Sequence, residues 1–199
     1  MATIAEPIPA PLAPARPRGS VVPLQGLPII AVVLVCLIVA IATNSLWAID
    51  FFHIVGGGLW TGVDLFLGLV LGPILGTMSV PARVELTSRL MPKLLLIMPT
   101  LVTMTLGSGF QLARKLGNLS ASYPQHTWLV ASYVVVGVMA VIALGLLTPA
   151  DLAVVFELRK PEPNVARVGK LMRIFIYTAG VTGLMQIATL VIMTKLAAG

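Results

Sequence analysis

The chain has 199 residues, of which 58% are hydrophobic and 10% charged, with a formal net charge of +6 and a mean hydropathy of +1.01. Soluble domains carry about 25% charged residues, so the composition excludes a soluble globular enzyme and indicates an integral membrane protein in contact with the lipid bilayer. The single cysteine, Cys36, rules out an intrachain disulfide and any CxxC metal or redox motif, and the basic residues fall at the ends of apolar segments, which excludes nucleic acid as their partner.

Residues 1–26 hold prolines at 7, 9, 11, 14, 17 and 23 and few large apolar side chains, which predicts a flexible tail. Arg16 and Arg18 precede an apolar run in which Ala40 and Ala42 form an A-x-A pattern. The length of both the basic region and the apolar run favours an uncleaved anchor over a signal peptide. From Leu27 to Leu75 the only formal charges are Asp50 and Asp64. One helix over that stretch would run about 73 Å, against a hydrocarbon core of about 30 Å, so two spans are required. Thr43, Asn44, Ser45 and Asp50 mark the break, placing the first span near 27–47 and the second near 51–75.

The segment from Gly76 to Arg89, with Pro81, reads as a polar loop. A third span follows near 90–113, then the turn 117–125, a fourth span near 126–148 ended or bent by Pro149 and Asp151, and a fifth near 171–195. The expected fold is all-α: an integral membrane bundle of five spans, one N-terminal helix plus a four-helix core. Five spans place Arg16, Arg18, Arg83, Arg89, Lys93, Arg159, Lys160, Arg167, Lys170 and Arg173 on one side, and Arg114, Lys115 and Lys195 on the other. By the positive-inside rule the N-terminus is cytoplasmic and the C-terminus outside, in the cell's inner membrane.

On the second span, His53, Gly57, Trp60 and Asp64 are spaced by four, seven and eleven residues and share a helix face. Gly68, Gly72 and Gly76 add a strip where a neighbouring backbone can come close. His126 opens the fourth span as His53 opens the second, so the only two histidines lie at one depth near the outer boundary. Neutral imidazoles on facing helices hold haem iron or a transition metal in helical bundles. Gly57 and Gly137 leave room for a flat macrocycle provided Trp60 and Tyr133 turn aside; the alternative is that these rings and imidazoles simply mark the membrane boundary. If His53 is an axial ligand, the second is His126, a methionine (Met104 or Met193), or none.

Asp64 lies near mid-membrane, where it must be neutral, paired or wetted; Arg89 and Lys93 are the cations expected to reach it. On the fifth span, Thr178, Thr182, Gln186, Thr189 and Met193 form a stripe that should face protein, and Thr100, Met104, Gly107 and Gln111 form another on the third. The chain's nine methionines suit Cu(I) in ligand type, but their scatter along the chain favours core packing.

The sequence His53, six residues, Trp60-Thr61-Gly62, then an apolar helix with Pro73, resembles the His-x6-Trp-x-Gly signature of copper-resistance D-type membrane domains and of HemJ-type protoporphyrinogen oxidases. The next span, with Arg89, Leu90, Met98, Pro99, Thr105 and Gly109, is similar to the same family, so the resemblance covers about residues 50–115. It implies a small helical membrane protein with haem at His53. The lysine those oxidases place shortly after a Trp has no counterpart after Trp128, so the resemblance carries haem binding and not the oxidase reaction. The expected function is a b-type haem-binding electron-transfer component of a membrane redox system. The alternatives are a non-catalytic subunit of a larger complex, working with partner subunits or as a homo-oligomer, and a copper-handling protein.

Overall fold

The computed structural model describes residues 23–198; the predicted flexible tail lies outside them up to residue 22. The described residues contain no strand, and five helices are long and apolar enough to cross a membrane: α1 (Leu24–Ala42), α2 (Leu46–Thr77), α3 (Val80–Lys115), α4 (His126–Leu158) and α5 (Val165–Ala198). The chain is an all-α membrane bundle.

The break between α1 and α2 is tight. Asn44 takes a positive φ of 54°, a conformation Asn tolerates better than most residues, and the Ser45 hydroxyl accepts the Ala48 N–H at 3.4 Å as an N-cap. Asp50, expected in the break, therefore stands inside α2. Lys115, at the end of α3, donates to the Asn44 carbonyl and ties this turn to the 117–125 connection.

Three sequence expectations on helix length are corrected, each for a local reason. The segment 76–89 is not a loop, because Pro81 sits in the first turn of α3, where its missing N–H is not needed. The fourth span does not stop at Pro149: residues Ala143–Leu147 form a π turn in which the Thr148 N–H bonds the Ala143 carbonyl, so the helix passes the proline and runs on to Leu158. Phe66–Leu71 forms a second π turn just before Pro73, with the Gly72 N–H on the Leu67 carbonyl. A proline clashes with the carbonyl four residues back, and a wider turn moves that carbonyl aside. The fifth span is also longer than 171–195. Asn164 caps it, its side-chain oxygen accepting the Arg167 N–H at 3.0 Å.

The α4–α5 connection is held by Glu157, which is buried at the end of α4. It accepts from Lys160 Nζ at 2.7 Å and from the Asn164 N–H at 3.3 Å, and pairs with Arg167 at 3.5 Å. α5 is the central element, packed on α2 and on both halves of α4, while α2 also packs on α3, and α1 lies outside against α2 and α3. The apolar core has two parts. One, toward the α1–α2 turn, joins Leu37, Trp60, Leu101, Met104 and Met139; the other, toward the α4–α5 turn, includes Leu71, Met91, Leu94, Val154, Met172 and Phe175.

Ser79 and Ser120 flank α3, whose 36 residues span about 54 Å. Maleimide labelling of Ser79→Cys and Ser120→Cys, each with Cys36→Ser, is expected to require reagent on opposite sides of the membrane. Labelling of both from one side would remove α3 as a span.

Candidate functional site

Asp64 is completely buried. Its Oδ2 accepts hydrogen bonds from Thr182 Oγ1 at 3.0 Å and Gln186 Nε2 at 2.7 Å. The two donors stand four residues apart on α5 and so face the same way. An aspartate is short, and it reaches them because α5 comes unusually close. A Cβ on Gly68 would lie 2.3 Å from the Gly180 Cα, and one on Gly183 would lie 3.0 Å from the Leu65 backbone nitrogen. The Trp60 ring also borders the carboxyl group. Even so, Asp64 Oδ1 and Gln186 Oε1 are buried acceptors with no donor among the described residues.

The partners of Asp64 differ from those expected. Arg89 pairs instead with Glu85 at 2.6 Å, both well exposed, and Lys93 is exposed. The polar stripe of α5 does turn inward at Thr182 and Gln186, which are buried, while Thr178 and Thr189 are half-buried. Of the α2 glycine strip, Gly68 and Gly72 meet α5, whereas a Cβ on Gly76 would touch nothing within 4 Å.

His53 is half-buried between α2 and α3. Its Nδ1 lies 2.9 Å from the Thr105 carbonyl oxygen. A carbonyl only accepts, so Nδ1 carries the hydrogen and, in the neutral ring, Nε2 keeps its lone pair. The ring rests on Gly109, where a Cβ would fall 2.6 Å from the imidazole. Thr105 and Gly109 stand four residues apart on α3 and together form the seat. Neither was singled out for this from the sequence; the available signal was that spacing, a small residue one turn beyond a residue able to present its carbonyl.

The remaining residues on the expected haem face diverge. A Cβ on Gly57 would make ordinary contact with the Thr105 methyl group at 3.5 Å. Trp60 turns into the core beside Leu101 and Met104, and Tyr133 turns outward, 39% exposed. His126 is half-buried at the first residue of α4, whose half up to Ile142 packs on α5, whereas the seat of His53 belongs to α3. Met104 is buried and Met193 half-buried. The described residues hold no group of three His, Cys, Asp or Glu side chains placed to share a metal ion. Two buried polar residues went unremarked as candidates: Asp151, which continues α4 beyond its π turn, and Thr87 on α3, each with an unpartnered side-chain oxygen.

Comparison of the chain with known protein families, curated proteins and solved structures found no match. The likeness over residues 50–115 therefore stands on its residues alone.

Proposed function

We propose that this chain is a multi-pass component of a membrane redox system that binds b-type haem through His53. The observation that supports this is the imidazole itself. Its Nδ1–H is held by a backbone carbonyl, as the second nitrogen of a metal-binding histidine usually is, and Nε2 is left with a free lone pair at the edge of the α2–α3 pair. The residues present fit a single imidazole ligand, and His53 would hold the haem: Thr105 fixes the ring's tautomer and tilt, and Gly109 leaves it the space. Haem bound there would supply one-electron transfer. Asp64 lies eleven residues further along α2, about 16 Å deeper, as a separate polar site in the same helix.

The charge distribution supports the inner membrane as location, with the N-terminus in the cytoplasm, the C-terminus outside and His53 near the outer boundary. The electron donor or acceptor is then another membrane subunit or a second copy of the chain.

Protein purified after haem supplementation is expected to contain iron and show a Soret band that His53→Ala abolishes. Gly109→Val, which pushes the ring off its seat, should weaken the band several-fold, and His126→Ala should leave it in place if His53 binds alone. A colourless, iron-free protein that co-purifies with other membrane subunits would overturn the haem reading in favour of a non-catalytic subunit. Copper in place of iron would favour copper handling.

A further inference from the structure

At the α4–α5 end of the bundle, the first turns of α3 and α5 stand beside each other and leave a cleft of about 510 Å³ between them. Its wall carries three cationic side chains, Arg83 from α3 and Lys170 and Arg173 from α5, and no carboxylate. None of the three belongs to an ion pair among the described residues, and the two carboxylates there that do form ion pairs, Glu85 and Glu157, are taken by Arg89, Lys160 and Arg167. Like charges gathered without a counter-ion repel one another, so the cleft is short of negative charge.

Two buried atoms point to the same deficit. Thr87 lines the cleft one turn below Arg83; it is 1% exposed and its hydroxyl has no partner. Arg83 is anchored by Nη2, which donates to the Met78 carbonyl at 3.2 Å, yet its Nε–H is buried without an acceptor. A hydroxyl and a guanidinium N–H left unmatched in one cleft call for acceptor oxygens, and leaving them unmet is costly. The first turn of α3 adds to this, because Ser79 at its N-cap makes no side-chain cap, and the amide end of a helix favours an anion. The rest of the wall, including Val84 and Met172, is apolar.

We propose that this cleft binds a phosphate group, presented by an anionic phospholipid whose head group sits among Arg83, Lys170 and Arg173, with Thr87 donating to a phosphate oxygen and an acyl chain following Val84 and Met172. Arginine suits this role because its planar fork matches phosphate oxygens. The site is independent of His53 and of any haem.

The test is thermal unfolding of the full-length protein in detergent micelles doped with phosphatidylglycerol or with phosphatidylcholine, and separately with inorganic phosphate. Phosphatidylglycerol is expected to raise Tm where phosphatidylcholine does not. Lys170→Gln/Arg173→Gln should weaken its apparent affinity tenfold or more, while Arg89→Gln/Lys93→Gln, an equal charge change outside the cleft, should leave it within twofold. Thr87→Val, close to isosteric, should weaken it several-fold in a protein that still folds. Stabilisation by inorganic phosphate alone, lost in the Lys170/Arg173 variant, would support the phosphate site and assign its ligand to solution. Equal response to both lipids with none to phosphate, or a phosphatidylglycerol preference that both double variants keep, would overturn the proposal.

Discussion

Gly68→Ala is expected to destabilise the bundle by about 3 kcal/mol or more, although it adds a single methyl group. That methyl would stand 2.3 Å from the Gly180 Cα and 2.9 Å from its nitrogen. Backbone cannot swing aside as a flexible side chain can, so α2 and α5 must part. Parting them also stretches the bonds from Thr182 and Gln186 to Asp64, one turn away, so packing and polar losses combine. Gly76→Ala is the matched control: it adds the same methyl to the same helix where nothing lies within 4 Å. There the better helix propensity of alanine should leave stability unchanged or raise it by up to about 1 kcal/mol. Unfolding in mixed micelles would distinguish them, and equal effects of the two substitutions would mean that the helices do not cross at Gly68.

The second large effect is expected at Asp64. Asp64→Ala should cost about 2–4 kcal/mol, because it strands the Gln186 amide in a water-free interior. Thr182 suffers less, since its hydroxyl can fall back on the carbonyls of Thr178 and Ala179 at 3.1 and 2.9 Å. Removing both ends of the main bond reverses the logic: Asp64→Leu with Gln186→Leu should recover much of the loss, as no polar atom is then left without a partner. A double-mutant cycle reads this directly. Strictly additive effects of the two sites would show that the 2.7 Å contact between them carries no coupling.

Much of this was legible in the order of residues. Long apolar runs with charges confined to their ends are enough to require five crossings, and Thr182 and Gln186, polar at four-residue spacing on an apolar helix, announce an inward face. The same pattern could not say which partner they meet. Arg89 and Lys93 were reasonable cations for Asp64 by reach alone, but Arg89 has a carboxylate one turn away at Glu85, and Asp64 finds neutral donors on a helix more than a hundred residues later. Periodicity places residues on a face but does not say how far along it a neighbour extends. Counting in fours puts Gly68, Gly72 and Gly76 on one strip, and Gly68 and Gly72 do meet α5, but Gly76 stands in the last turn of α2, where a Cβ would find nothing within 4 Å. Asp151, read with Pro149 as ending or bending the fourth span, is instead a buried residue within it, because the helix passes the proline through the π turn at Ala143–Leu147 and continues to Leu158.

The two π turns also bear on how such a chain can change length. A residue inserted into a lipid-embedded α-helix would ordinarily rotate everything beyond it by about 100°, exposing polar groups to hydrocarbon. A π turn confines an extra residue to one bulge, and the proline that follows tolerates it because it needs no carbonyl in the usual place. Deleting one residue from 66–71 or 143–147 should therefore be tolerated far better than deleting one from the uninterrupted α-helical stretch of α5, and gains or losses of single residues along α2 and α4 in a lineage should collect just ahead of Pro73 and Pro149.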